Sequence, residues 1–193
     1  MTVASPGSEP TQRLFFALWP DAEARAALTA ATARAVRHSG GRPVPEANLH
    51  VTLAFLGAVP ARRIPELQRI AREQADAFTQ EVPLSLTFER LAHWSRPQIL
   101  CALEADAPPA APALAAVLRD SAAAAGFAPD LKPFQAHVTI ARKVLHAPVA
   151  PIARPVAWCF EDFALVDSQT APGGPVYSVI ESYSLVNAQK AHK

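Results

Sequence analysis

Two copies of a His-Val-Thr triplet constrain the fold of this chain more than any other feature of its sequence. The copies are 50–52 and 137–139, and their contexts match as well, NLHVTLA against QAHVTIA. They lie 87 residues apart, near half of a 193-residue chain that has six histidines. Chance does not account for two identical triplets in matching contexts. The spacing predicts a duplicated lobe that faces its copy across a cleft.

Each triplet lies in an apolar segment with the character of a β-strand. Residues i and i+2 of a strand point to the same face, roughly 6.7 Å apart along the chain. His50 and Thr52 are therefore expected on one face, with Val51, Leu53 and Phe55 packed into the core behind them. The second copy has the same pattern. Each lobe is thus predicted to present one imidazole and one hydroxyl from a rigid strand.

The remaining segments predict a chain of alternating strands and helices. The expected strands are 13–19, 49–56, 82–88, 98–103, 134–143, 156–166 and 176–186, and the expected helices are 21–37, 61–78 and 110–125. This order is typical of an α+β fold with mostly antiparallel sheets. We expect a single domain over 13–187, with a flexible N-terminal tail over 1–12 and a C-terminal tail over 188–193.

Composition excludes some classes of function. Charged residues make up 18% of the chain and the net charge is +1, which argues against a protein that coats long duplex nucleic acid. A small anionic ligand held by a few local cations stays open. No apolar stretch approaches the ~20 residues of a membrane span, and the N-terminus does not have the pattern of a signal peptide. Cys101 and Cys159 are expected to be reduced, and the cytoplasm is the expected compartment.

Two histidines around a phosphate suit general acid–base catalysis. An unperturbed imidazole pKa of about 6.5 allows one ring to be neutral and the other protonated near pH 7. The neutral ring can deprotonate an attacking water, the protonated ring can protonate the departing oxygen, and threonine hydroxyls can donate to the non-bridging oxygens. One alternative is that each histidine is an ordinary hydrogen-bonded strand residue. Zinc is disfavoured, because a catalytic site usually takes three protein ligands; we expect no metal and no cofactor.

The segments RLFFAL at 13–18, NLHVTLAFLG at 48–57 and FQAHVTIAR at 134–142, with the closing strands around Tyr177, resemble the two-histidine (2H) phosphoesterase superfamily, within it the RNA 2′,3′-cyclic phosphodiesterases. The resemblance implies a bilobal α+β fold with pseudo-twofold symmetry and an open central cleft. It also implies hydrolysis of a terminal 2′,3′-cyclic phosphate to a 2′-phosphate, with 2′–5′ RNA ligation as a minor activity. It makes His50 the proton donor and His137 the proton acceptor, with Thr52 and Thr139 on the phosphate. The substrates implied are RNA or oligonucleotide ends and small cyclic nucleotides.

Two further candidates depend on which face they occupy. Arg142 follows the second histidine by five and is a candidate for phosphate binding, but strict alternation places it on the opposite face. It reaches the cleft only if the strand ends or bulges there, and otherwise it is a solvated arginine. Phe16 is a candidate for stacking on a base, although it shares a strand face with Leu14 and Leu18, which favours the core. Trp94 is a weaker stacking candidate.

Other functions remain open from the sequence. The cleft could serve a non-catalytic binder of nucleotides or RNA ends, although such a binder needs no acid–base pair. A 2H enzyme acting on another cyclic phosphate, such as an ADP-ribose derivative, would carry the same motifs, because the motif residues contact only the phosphate. We expect a monomer.

Overall fold

Strands and helices alternate along the chain in a computed structural model that describes residues 9–78, 83–104, 108–146, 151–172 and 174–186. The elements are β1 (Thr11–Leu18), α1 (Ala22–His38), β2 (Arg42–Pro43), β3 (Val51–Pro60), α2 (Ile64–Phe78), β4 (Leu84–Trp94), β5 (Ile99–Glu104), α3 (Ala110–Ala124), β6 (His137–Arg142), β7 (Val156–Phe160), β8 (Asp162–Ala171) and β9 (Gly174–Ser184). Short 3-10 turns precede β3 and α2.

The strands form two antiparallel sheets, one for each histidine motif. The first sheet has the order β3-β1-β8-β9, and the second has the order β2-β6-β5-β4-β7. Every strand pair in the two sheets is antiparallel. In each sheet, the strand next to the motif pairs with the strand that lies before the intervening helix: β3 pairs with β1 across α1, and β6 pairs with β5 across α3. The α+β class with mostly antiparallel sheets is therefore confirmed.

The two crossover helices are exchanged between the sheets. Helix α1 and the short strand β2 connect β1 to β3 of the first sheet, yet α1 packs on β6 and β7 of the second, to which β2 also belongs. There Trp158 Nε1 donates a hydrogen bond to the Ala24 carbonyl at 2.8 Å. Helix α3 connects β5 to β6 of the second sheet and packs on β3 of the first. Leu28 and Leu114, from the two helices, are fully buried in one core that both sheets share.

Local sequence explains where the helices begin and which face they bury. Asp21 caps α1, since its side chain accepts a hydrogen bond from Ala24 N at 2.7 Å. Helix α2 buries an apolar stripe at helical spacing, including Leu67, Ile70 and Ala71. None of the described helices is both long enough and apolar enough to cross a bilayer.

The expected elements differ from the structure at several places: β2 is not among the expected strands, β4 continues to Trp94 beyond the expected end at 88, and the run 156–166 and the N-terminus also differ. The strand predicted over 156–166 is wrong: the run divides at Glu161 into β7 of the second sheet and β8 of the first. Both halves are apolar because both face the shared core. The run contains no glycine or proline that would mark the break. At the N-terminus, β1 begins at Thr11, inside the expected tail, and Pro10 accepts a hydrogen bond from Ala61 N. Residues 1–8 and 187–193 lie outside the described residues, as does Val82.

Candidate active site

Both histidines line a single cavity of about 710 Å³ whose walls come from both sheets. His50 directly precedes β3 and His137 is the first residue of β6. Thr52 and Thr139 line the same cavity. The structure therefore brings together the four motif side chains that the sequence places in separate lobes.

The two imidazoles are held in the same orientation by the same type of bond. His50 Nδ1 lies 2.7 Å from the Asn48 carbonyl oxygen, and His137 Nδ1 lies 2.8 Å from the Gln135 carbonyl oxygen. A carbonyl can only accept, so each Nδ1 carries the hydrogen. Each neutral ring therefore keeps the lone pair on Nε2. In the first motif that nitrogen is 3.1 Å from Thr52 Oγ1, whose hydroxyl can donate to it.

Each motif strand has a β-bulge at the same position, three residues after the histidine. The pairing of β3 with β1 skips Leu53, and the pairing of β6 with β5 skips Ile140. A bulge adds a residue to one strand and so reverses which later residues face the cleft. The residues five positions after each histidine, Phe55 and Arg142, both line the cavity. The predicted core position of Phe55 is wrong for this reason, and Arg142 meets the condition for reaching the cleft.

The base-stacking candidate Phe16 does not face the cleft. It is fully buried between the sheets, and its ring centroid is 6.0 Å from that of Phe163. Leu14 and Leu18 are fully buried with it, because alternation puts these three residues on the core face of β1. The neighbouring Phe15 is the aromatic residue of β1 that lines the cavity. Alternation alone identifies this position once the core face is known.

The cavity lining is cationic. It contains Arg13, Arg42, Arg142 and Lys143, and no aspartate or glutamate is found among its described lining residues. Arg42 and Arg142 are direct partners across β2 and β6, and like charges placed opposite each other are destabilising. A bound anion between them would remove that repulsion. The sequence did not identify Arg13 and Arg42 as cavity residues, although Arg13 lies two positions before Phe15 on β1 and so shares its face.

Aromatic rings enclose His50 on several sides. Its ring centroid is 4.9 Å from that of Phe15, 5.4 Å from that of Trp19 and 5.1 Å from that of Tyr177. The Trp19 ring is stacked nearly parallel to the imidazole, with an interplanar angle of 23°. His137 contacts Trp94, with ring centroids 4.6 Å apart. The sequence did not predict Trp19 as a neighbour of His50, because this contact depends on the pairing of the end of β1 with the start of β3.

Burial keeps both imidazoles neutral in the unliganded protein. Burial is the main cause that lowers the pKa of His50 to about 4; the nearby groups His137, Arg142 and Arg25 act in the same direction, and the hydrogen bond to Asn48 opposes them. Burial also lowers the pKa of His137, against the hydrogen bond to Gln135. An anionic phosphate in the cavity would favour the protonated form of either ring. The site is therefore suited to taking up a proton together with its anion.

Neither a metal cluster nor a reactive thiol was found in the described part of the site. No group of three or more His, Cys, Asp or Glu side chains is arranged to hold a metal ion among the described residues. Cys101 is buried and unpaired, with Sγ 3.9 Å from Thr139 Oγ1. Burial raises the pKa of its thiol to about 12, so the thiolate needed for nucleophilic chemistry is not populated at neutral pH.

Comparison with known proteins points to one family. Residues 18–101 match the family described as LigT-like phosphoesterase. An RNA 2′,3′-cyclic phosphodiesterase of Thermus thermophilus is 34% identical over 189 residues, covering 90% of each chain. A second one, from Escherichia coli, is 33% identical over 180 residues, covering 92% of this chain and 98% of its own. The crystal structure of E. coli LigT complexed with 3′-AMP superposes with a TM-score of 0.81 at 30% identity, covering 91% of this chain and 99% of the other.

Proposed function

Because this chain belongs to the LigT-like phosphoesterase family of 2H phosphoesterases, we propose that it hydrolyses the 2′,3′-cyclic phosphate of RNA or oligonucleotide ends to a 2′-phosphate. The observation that carries the proposal is the pair of imidazoles in one cavity, each tied through Nδ1 to a backbone carbonyl. Two nitrogens are thereby left to handle protons on either side of a bound phosphate. The relatives named RNA 2′,3′-cyclic phosphodiesterase support the choice of phosphodiester.

The proposed reaction is a single in-line displacement at phosphorus. Neutral His137 accepts a proton from a water molecule through Nε2 while the water oxygen forms a bond to phosphorus. The bond from phosphorus to the 3′ oxygen breaks, and protonated His50 donates its Nε2 proton to that oxygen. The phosphate stays on the 2′ oxygen, and proton exchange with solvent restores both rings. Arg142 and the two threonine hydroxyls stabilise the charge on the non-bridging oxygens.

The protonated state of His50 is supplied by the substrate. Its pKa of about 4 in the free protein leaves it neutral at pH 7. A phosphodiester anion beside the ring opposes the effect of burial and of the neighbouring cations, and so raises that pKa. Substrate binding near neutral pH is therefore expected to take up close to one proton. Isothermal titration of a 2′,3′-cyclic nucleotide into the slow His137→Ala variant, in buffers of different ionisation enthalpy, measures this uptake with a phosphodiester whose own charge does not change.

The cations and rings of the cavity support a nucleotide chain as the substrate. Arg13, Arg42 and Lys143 extend the positive lining beyond the reacting phosphate, and phosphate contacts of this kind make binding dependent on salt. Tyr177, which is only partly buried, offers an aromatic surface on which an unpaired base can stack. We expect no strong base preference, because every base can stack on an aromatic ring.

Ligation follows from the same geometry. If a 5′-hydroxyl replaces water as the attacking group, its oxygen bonds to phosphorus, its proton passes to His137, and the 3′ oxygen leaves with the proton of His50. The product is a 2′–5′ phosphodiester. Water is far more concentrated than RNA ends, so we propose ligation as the minor activity.

One chain supplies both histidines, so we propose that the monomer is active. Cys101 and Cys159 are both free thiols, which supports a reducing compartment, and we place the activity in the cytoplasm. Sedimentation at working concentration tests the oligomeric state, with a dimer as the contrary result.

The deciding experiment is hydrolysis of 2′,3′-cyclic nucleotides and of a cyclic-ended oligonucleotide in excess EDTA. Replacing His50 or His137 by alanine should lower kcat by about 10²–10⁴-fold. His38→Ala, at the exposed end of α1, is the matched control and should keep wild-type activity. Chromatography of the product should give the 2′-phosphate.

Each part of the proposal has its own contrary outcome. Loss of activity in EDTA with recovery on adding a divalent ion would refute the metal-independent mechanism. A wild-type rate in either histidine variant would remove that residue from catalysis. Tight binding of cyclic-ended RNA without turnover would favour a non-catalytic binding module. Turnover confined to cyclic phosphates of ADP-ribose derivatives would show that RNA ends are not the substrate.

A further inference from the structure

His50 is the inner end of a stack of three side chains that continues away from the cavity. The indole of Trp19 lies against the imidazole, with centroids 5.4 Å apart and nearly parallel planes. The guanidinium of Arg25 lies over the same indole, with Cζ 4.9 Å from the ring centroid. Neither Trp19 nor Arg25 is among the described residues that line the cavity. They reach the reaction only through His50.

Arg25 also supports the backbone that carries the histidine. Its Nε donates a hydrogen bond to the Leu49 carbonyl at 3.2 Å, one residue before His50. Its Nη2 is buried and has no hydrogen-bond partner among the described residues. Stacking on the electron-rich face of Trp19 compensates part of that cost. The side chain is thus held where its charge faces the stack.

The second histidine has the ring but not the charge. Trp94 contacts His137 at 4.6 Å, with the planes inclined by 52°. Among the described residues, the cation–ring pairs involve Phe55, Trp19 and Phe127, and none involves Trp94. The duplicated motifs therefore differ in what stands behind the imidazole, although their hydrogen bonds are the same.

We propose that Trp19 and Arg25 are positioning residues of the reaction: Trp19 holds the His50 ring, and the charge of Arg25 behind it makes the protonated His50 ring a stronger acid toward the leaving oxygen. The inference rests on the proposed function. A positive charge behind a ring disfavours its protonated form, so the proton that arrives with the phosphate is more readily released to the leaving oxygen.

Several other charged groups face this stack and stay constant in the test. Asp21 and Glu46 act on Arg25. His137 and Arg142 act on His50 from β6. All four are retained in every variant below, so their effects cancel between variants.

The size of the effect follows from the geometry. The guanidinium is at most about 10 Å from the imidazole along the stack. A unit charge at that distance shifts a titration by about 0.3 to 1 pH unit, for effective dielectric constants between those of water and a protein surface. Arg25→Gln, which keeps a donor for Leu49, should raise the titration midpoint of His50 by this amount.

Nuclear magnetic resonance titration of the histidine ring signals tests the charge without any assay of activity. Arg25→Lys should restore the wild-type midpoint of His50, because it restores the charge. Arg34→Met is the matched control: Arg34 is exposed on α1, nine residues on and therefore on the opposite side of the helix. An unchanged His50 midpoint in a folded Arg25→Gln protein would overturn the inference.

The pH profile of kcat tests the role in the reaction. In Arg25→Gln the alkaline limb, where the donor loses its proton, should move up by the same fraction of a pH unit, with KM changed less than twofold. Trp19→Leu should lower kcat about tenfold, and Trp19→Phe should recover most of it. If the titration moves but the alkaline limb does not, His50 is not the donor and the inference is wrong. If wild-type protein hydrolyses no cyclic phosphate, the proposed function fails while the ring titration still tests the stack.

Discussion

The burial of His50 makes a quantitative prediction about how stability depends on pH. The pKa of this ring is about 4 in the folded protein and about 6.5 in an unfolded chain. Between these values the unfolded chain binds a proton that the folded protein does not, so the free energy of unfolding rises with pH across the window. The contribution of His50 is fully present above pH 6.5 and is lost as the pH falls towards 4.

The expected magnitude follows from linkage. One pKa unit corresponds to about 1.4 kcal/mol, so moving from pH 7.5 to pH 4.5 should remove about 2 to 3 kcal/mol through this residue. Replacing His50 by glutamine removes the titrating group. The fall in unfolding free energy over the same pH range should therefore be smaller in His50→Gln than in wild type by that amount.

Urea unfolding followed by far-ultraviolet circular dichroism at four pH values between 7.5 and 4.5 measures the difference. This signal avoids the tryptophan fluorescence that His50 itself would quench. Thr139→Val is the matched control, because it removes the corresponding hydroxyl of the second motif and leaves His50 and its hydrogen-bond partners intact; its pH dependence should follow wild type. Equal pH dependence in wild type and His50→Gln would refute the claim that the ring is held neutral by burial.

Three further predictions concern the cavity wall and the core behind it. Phe16→Ala should lower the free energy of unfolding by about 3 to 5 kcal/mol in urea, whereas Tyr177→Ala should mainly raise KM for an oligonucleotide, about tenfold; the reverse pattern would contradict the placing of Phe16 in the core and of Tyr177 in the cavity wall. Arg142→Met should lower kcat/KM for a cyclic nucleotide by about 10²-fold, and a change below threefold would leave it a solvated arginine. Cys101, with its raised pKa, should react with iodoacetamide at pH 8 only after denaturation, while exposed Cys159 should react in the native protein; mass spectrometry would expose the error if Cys101 reacted first.

The sequence was informative where one physical rule acts alone. Alternation correctly paired His50 with Thr52 on the cleft face and indicated that Phe16 shares its face with core leucines. It failed at Phe55, because the bulge at Leu53 reverses the faces beyond it and no residue type marks that bulge. Recognition of the same bulge in the second motif would have moved both Phe55 and Arg142 to the cleft.

Long-range packing accounts for the other features that the sequence did not show. The break at Glu161 is invisible locally, because both flanking strands bury apolar residues in one shared core. The neighbours of His50 come from distant parts of the chain, and Tyr177 is the clearest case. Such proximity depends on the order of strands in the sheet, which a periodicity of side chains does not specify.

The exchange of crossover helices has a consequence for how this molecule is built and lost. Helix α1 lies in the connection from β1 to β3 of the first sheet but packs on the second. Helix α3 lies in the connection from β5 to β6 of the second sheet but packs on the first. Residues of both sheets and of the helices form one shared core, so we expect the two sheets to gain and lose their structure in one cooperative step. An intact lobe carrying a single histidine is therefore not an available intermediate. Folding is therefore expected to bring both imidazoles into the cavity in the same step.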